Sequence, residues 1–382
     1  MKYLVFLVLI TLNFYLGSDF LKCTKNSKIL IDTIYPKTEH KVYAPPLSSY
    51  LFLGLFNWND TFYNCYYKTD SGILLSVNVL NNHFSSLLLN KFVDNKYLTE
   101  NTLTDICFIG NDSLLLLFNE EIICIDNVKI FHRKKINEFK NGKWPRHTID
   151  DFNGCGHITL NKLKKSVLLR SIAADIPYYT KEFFESEILI SYSYEFNKLE
   201  VQKVYYPDFH KRNYVGDLDL FSILKKSNYF LIFFMANNSV IKLKNDSIQE
   251  LEFAQSTLDD KSIKWLKWNE EAPLKERRDN IITNRIYDNI LSYNNKFYRF
   301  YRDNQELKET NNSYNSIGDK RSTLIITDND FKFEKEHNFP SGFIYNSYNS
   351  FVLSNKIYVQ NVEKSVQYKD STIYDVFDLY SL

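Results

Sequence analysis

From about Ser49 to its end the chain alternates apolar runs of five to eight residues with short polar turns, and almost none of these runs extends into a 3.6-residue helical period. The pattern predicts strands at Tyr50–Phe56, Gly72–Val79, Ser113–Phe118, Glu121–Ile125, Ile188–Tyr194, Tyr229–Met235 and Ser239–Leu243. Further strands are read at Lys296–Tyr301, Thr323–Thr327 and Lys356–Gln360. The turns between them are mostly asparagine, as at Asn81-Asn82, Asn237-Asn238 and Asn294-Asn295. With only 10 glycines in the chain, asparagine is expected to supply most left-handed turn positions, which it tolerates better than other residues with a Cβ.

One phrase recurs: a strand, an Asn or Asp turn, a second strand and a polar connector. Leu115 to Cys124, Phe230 to Ile241 and Ile290 to Phe300 all follow it. Repeated antiparallel units at intervals of about 45 to 60 residues predict an all-β chain folded as a β-propeller, and six blades suit the length. Tandem β-sandwiches are the alternative, although no composition break marks a domain boundary. Residues 137–156 and 256–280 are less regular and read as long loops, the second with Trp265 and Trp268 three residues apart.

The N-terminus follows a different pattern. Lys2 precedes a mostly apolar run from Tyr3 to Leu16, interrupted by Thr11 and Asn13 and followed by Gly17-Ser18-Asp19. This has the form of an export signal and is shorter than the roughly 18 to 20 apolar residues that span a bilayer. Cys23, followed by the polar stretch Thr24–Lys28, resembles the attachment cysteine of a bacterial lipoprotein, with Phe20-Leu21-Lys22 in place of the usual small residue. Lipidation at Cys23, simple secretion and an uncleaved anchor all stay open. The expected organisation is a signal peptide over 1–22, a tether over 23–45 and a single propeller over 46–382. The expected address is outside the cytoplasm, as a cell-envelope lipoprotein or a secreted protein.

Lys plus Arg number 47 against 46 Asp plus Glu, so the chain lacks the electrostatic footprint of a nucleic-acid binder. The clusters His132-Arg133-Lys134-Lys135 and Lys275-Glu276-Arg277-Arg278 read as solvated loops. The 28 Tyr and 30 Phe favour strands over helical bundles. Cys107 and Cys124 lie in apolar runs separated by another such run, so a meander would hold them two strands, roughly 10 Å, apart. Buried free thiols are expected there.

The phrase Asn284-Arg285-Ile286-Tyr287-Asp288-Asn289-Ile290, leading into Tyr293-Asn294-Asn295-Lys296-Phe297-Tyr298-Arg299-Phe300, resembles a motif of an uncharacterised Bacteroidetes family of exported six-bladed-propeller-like proteins, some of them lipoproteins. The C-terminal phrases Lys356-Ile357-Tyr358-Val359 and Asp370–Leu379 are similar too. This chain has Phe297 where the family usually has Tyr, and Lys356 where it tends to have Gly. The family has no established reaction, so the resemblance implies an envelope propeller and nothing further.

The densest candidate chemistry is Trp144-Pro145-Arg146-His147, then Asp150-Asp151 and Gly154-Cys155-Gly156-His157. A metal site or a Cys155 nucleophile could be drawn from it, but spacing alone supplies no geometry, and a connector contributing Trp144, Arg146, His147 and His157 to a binding surface is the simpler reading. Arg285, Tyr287, Tyr298 and Arg299 are strand residues that could also line a ligand channel. The acid pairs Asp217/Asp219 and Asp259/Asp260 read as solvated turns. No GxGxxG, P-loop, GxSxG or HExxH spacing occurs. The expectation is therefore a non-enzymatic exported propeller without cofactor or metal, binding a peptide, a glycan or a partner protein of the envelope and meeting membrane only through a lipid anchor. A carbohydrate-active hydrolase or lyase on the same scaffold is the alternative.

Overall fold

The computed structural model describes residues 31–381 apart from 47–49, 137–146, 150–157, 258–264, 308–314 and a scatter of one- and two-residue positions. Six antiparallel sheets are arranged around a common axis as a six-bladed propeller. Blade 1 comprises Leu51–Trp58, Thr61–Lys68, Ile73–Asn78 and Phe84–Leu88, running from the innermost to the outermost strand. Blade 2 comprises Leu103–Gly110, Ser113–Phe118, Glu121–Asp126 and Ile130–Lys135. Blade 3 has a split inner strand, His147–Ile149 and Ile158–Asn161, both paired to Ser166–Ala173, then Glu187–Ser193 and Lys198–Tyr205. Blade 4 is Phe221–Lys225, Phe230–Phe234, Ser239–Lys244 and Ser247–Glu252, and blade 5 is Ile286–Tyr293, Lys296–Arg302, Ser322–Thr327 and Phe333–Asn338.

Blade 6 closes the ring. Its inner three strands are Tyr345–Leu353, Lys356–Asn361 and Ser371–Asp378, and its outer strand is Thr38–Tyr43 from the other end of the chain. Thr38 pairs with Val376 and Tyr43 with Ser371. Residues 38–43, which the sequence pattern left within a tether, thus belong to the propeller.

The apolar runs follow from this arrangement, because every central strand is covered on both faces. In blade 2, Leu116, Phe118, Ile123 and Ile125 pack towards blade 1, while Leu115, Leu117, Ile122 and Cys124 pack towards blade 3. In blade 4, Phe230, Ile232 and Phe234 face blade 3, and Leu231 and Phe233 face blade 5. Six apolar clusters result, one in each gap between blades. Cys107 and Cys124 each sit opposite Leu115, on either side of it, so they are two strands apart as expected. Both are free and buried, as is Cys65.

Asparagine supplies most of the left-handed turn positions: among the described residues, Asn59, Asn82, Asn197, Asn269, Asn294, Asn295 and Asn355 have positive φ, against Lys165, Phe331 and Ser354 and the glycines Gly54, Gly72 and Gly216. The cluster His132–Lys135 is not a loop. It lies in the outer strand of blade 2, where polar residues meet solvent, and Arg133 Nε donates to Glu121 Oε1 at 2.7 Å.

Candidate functional site

A four-stranded meander places its first-to-second and third-to-fourth turns at one end, and its second-to-third turn and the link to the next blade at the other. In this chain the first end carries short turns such as 127–129, 162–165 and 294–295, none longer than 79–83 or 328–332. The other end carries segments 89–102, 174–186, 206–220, 253–285, 303–321 and 362–370, which among the described residues hold every α-helical turn. One face is thus trimmed and the other elaborated.

Over blades 3 and 4 the elaborated face holds an aromatic and charged group. Segment 206–220 includes the helical turn Asp208–Arg212 and then Gly216, whose φ of +59° suits a residue without a Cβ. A Cβ there would meet Leu266 Cδ1 at 2.7 Å. This close approach lets residues 265–285 lie over the turn, fastened by a bridge between Tyr214 and Leu266. Pro273 then starts the helix Leu274–Thr283, whose exposed side carries a Lys275–Asp279 ion pair at 2.6 Å. The cluster Lys275–Arg278 is therefore helical rather than a solvated loop.

Trp265 and Trp268 are half-buried. Trp265 meets Phe209 edge-on at 5.1 Å, and Trp268 stacks on Tyr214 at 5.4 Å. The Arg277 guanidinium lies 5.3 Å from the ring of Tyr178 and donates to Asp217 Oδ1 at 3.1 Å. Tyr178 donates to Glu271 Oε1 at 3.0 Å, and Tyr206 to Asp219 Oδ2 at 3.4 Å. Asp217 and Asp219 are thus bound into the face, because residues 265–285 cover their turn. Burial pushes the Asp217 carboxyl above its ordinary range despite Arg277, and pushes the Tyr178 hydroxyl up to about 12.

Over blades 5 and 6 the face is polar and internally paired. Arg302 donates to Asp288 Oδ2 and to the Tyr345 carbonyl, both at 2.9 Å. Lys320 donates to the carbonyls of Asn284 at 2.6 Å and Asp303 at 2.9 Å. Burial, with Arg302 adding to it, pulls the Lys320 amine down to about 7. Asp375 receives Tyr345 and Asn361 at 2.9 Å and Lys364 at 2.7 Å. On the axis, Asn289 Nδ2 donates to the Ser347 carbonyl at 2.9 Å, and the Tyr348 hydroxyl meets Met235 Sδ at 3.2 Å. These contacts knit together the inner parts of blades 4, 5 and 6.

Of the residues singled out from the sequence, Cys23, Trp144, Arg146 and His157 lie outside the described residues, as do Asp259 and Asp260. His147 is the first residue of the short inner strand His147–Ile149. Arg285, Tyr287 and Arg299 come together: both guanidinium groups lie against the Tyr287 ring, at 6.0 and 4.7 Å. Arg299 is fully buried between blades 4 and 5 and donates to the Phe234 carbonyl at 2.7 Å. Burial lowers it to about 10, so it stays charged at neutral pH. Tyr298 is parted from them and packs with Phe300 and Leu324 towards blade 6, since neighbours along a strand point to opposite faces. The sequence reading missed Tyr178, Asp217 with Arg277, and Lys320, which only the folding of separate loops brings into place.

Among the described residues no group of three His, Cys, Asp or Glu is arranged to hold a metal ion, and no helix is long and apolar enough to cross a membrane. Burial pushes the Cys124 thiol up to about 12 and those of Cys65 and Cys107 higher still, which leaves little thiolate for nucleophilic chemistry.

The arrangement defines a six-bladed propeller with one elaborated face. No family model and no curated protein matches the sequence. Among solved structures the chain is similar to a member of the DUF4221 family from Bacteroides vulgatus, with 16% identity, a TM-score of 0.66, and 90% of this chain and 97% of that one covered. It is also similar to a Bacteroides fragilis protein named as exported, with 8% identity, a TM-score of 0.49, and coverage of 91% and 97%. At these identities the first likeness carries the fold. The DUF4221 member comes from the bacterial group whose family the motif from Asn284 to Phe300 resembles.

Proposed function

We propose that this chain is a non-enzymatic exported binding module of the cell envelope, tethered through Cys23 or secreted, which takes a peptide, a glycan or a partner protein on its elaborated face. The observation that carries this reading is the asymmetry of the two faces. Long segments cost ordering entropy, and a propeller needs only short turns to close its blades. Their concentration at one end, with half-buried Tyr178, Tyr179, Trp265 and Trp268 among acids and arginines, suits recognition. The acid pair of this face, Asp217 and Asp219, is tied to Arg277 and Tyr206 and serves to hold the loops together, which suits a binding surface.

The test is to screen the mature chain against immobilised glycans and peptides, and to repeat each hit with Trp265→Ala on the elaborated face and Phe196→Ala on the trimmed one. Binding that falls with Trp265→Ala and persists with Phe196→Ala supports the reading. Binding indifferent to the first, or turnover of a glycan during the screen, overturns it.

A further inference from the structure

Each blade offers its outer strand to the rim of the propeller. Charged residues protect five of these edges: Glu39 and Lys41 in blade 6, Arg133 to Lys135 in blade 2, Lys198 and Glu200 in blade 3, Glu250 and Glu252 in blade 4, and Glu334 to Glu336 in blade 5. The outer strand of blade 1, Phe84–Leu88, reads Phe-Ser-Ser-Leu-Leu and has none. Charge on an edge deters pairing with another chain, and its absence leaves a template. Phe84 is 63% exposed, and the ring of half-exposed Tyr43 stands 6.3 Å from it.

Among the described residues, no backbone group bonds to the outer side of this edge. Asn78 donates to the His83 carbonyl and Leu89 to the Gly72 carbonyl, both at 2.8 Å. Antiparallel alternation therefore turns His83, Ser85, Leu87 and Leu89 inward, and directs the N–H and C=O groups of Phe84, Ser86 and Leu88 outward. Beside the edge, on the face of Ser85 and Leu87, a cavity of about 170 Å³ opens between blades 1 and 2. Leu74, Phe108 and Leu114 line it, together with Asp112 and Asp126.

We propose that Phe84–Leu88 is a strand-addition site that takes an extended peptide segment of a partner protein as a fifth strand of blade 1, seating one apolar side chain in the cavity and a cationic one beside Asp112 and Asp126. A peptide is the occupant that suits the extent of the site. Five residues of strand span roughly 17 Å, whereas a stable dimer buries about 800 Å² on each partner. The neighbouring rim is charged, so a second copy would find little more to bury. Strand addition supplies affinity through the backbone and selectivity through alternate side chains.

The probe is a synthetic decapeptide of alternating valine and threonine with one central leucine and a terminal lysine, added to isotopically labelled mature protein. Expected is slowed hydrogen exchange at the amides of Phe84, Ser86 and Leu88. N-methylation of alternate peptide amides should weaken binding by about tenfold or more, since it removes the ladder bonds. Ser86→Lys should have a similar effect by charging the edge, and Ser85→Phe by filling the cavity; both positions are exposed, and thermal unfolding verifies each fold. Unchanged exchange at these three amides, or equal binding of the N-methylated peptide, overturns the proposal. Protection that rises with protein concentration in the absence of peptide also overturns it, since a second copy would then be the occupant.

Discussion

Acidification should expose the cost of burying His210. This residue is fully buried, with its ring 5.3 Å from that of Tyr206, 5.1 Å from Phe234 and 6.1 Å from Phe184. Neither ring nitrogen has a hydrogen-bond partner among the described residues. Burial pulls its pKa from 6.5 to about 3. Above pH 6.5 the folded and unfolded states are both neutral at this position, and it adds no pH dependence. Below that, the unfolded chain binds a proton which the folded one refuses, so stability falls with pH until about 3. At pH 4 the loss attributable to this residue is about 3 kcal/mol, from roughly 1.4 kcal/mol per pH unit. Carboxylates contribute their own acid sensitivity, so the informative quantity is the difference from His210→Phe, which keeps a ring among rings. Urea unfolding followed by tryptophan fluorescence at pH 7, 5.5 and 4 measures it. At pH 7 the variant should be equal to wild type or more stable by about 1 kcal/mol, because an unpartnered polar group has gone. At pH 4 its advantage should widen by about 3 kcal/mol. Wild type and variant losing the same stability between pH 7 and 4 would refute the reasoning.

Lys320 works in the opposite window: its folded pKa of about 7 lies below the ordinary 10.5, so the unfolded chain holds more protons between those values and stability should rise with pH. Relative to Lys320→Met, wild type should gain about 2 kcal/mol from pH 7 to 9 in urea unfolding, and a gain shared by the variant would exclude this lysine as the source. Gly216→Ala forces a Cβ against Leu266 at a positive φ and should lower stability by about 2 to 3 kcal/mol in the same assay, while an unchanged midpoint would mean that the turn can shift. Removing residues up to Tyr43 strips the outer strand from blade 6 and uncovers the Ser371–Asp378 edge; size-exclusion chromatography should show aggregation, and a soluble monomer with unchanged melting would show that the ring does not depend on this closure.

The strands were legible because their signal is local. A blade strand covered on both faces needs an unbroken apolar run, and runs such as Leu114 to Phe118 and Phe230 to Phe234 state this without reference to the rest of the chain. The asparagine turns were legible for the same reason, since positive φ is a property of one residue and its neighbours. The free thiols Cys107 and Cys124 could be placed two strands apart from the meander alone. The site was far less legible. Tyr298 and Arg299 are adjacent in sequence and were grouped together, yet they serve different gaps between blades. Asp217 with Arg277 and Lys320 with Asn284 join loops far apart in the chain, and no motif spacing announces such pairs.

The sequence by itself determined that this chain forms short antiparallel strands linked by asparagine turns, repeated often enough for six blades, because strand, turn and repeat depend on side-chain pattern over a few residues. Only the tertiary structure decided which ends of the chain meet in blade 6, which face receives the long segments, and which charges are buried in pairs. It also left blade 1 with the one outer strand that bears no charge. These features depend on contacts between residues distant in the chain, whose geometry exists only once the ring has closed.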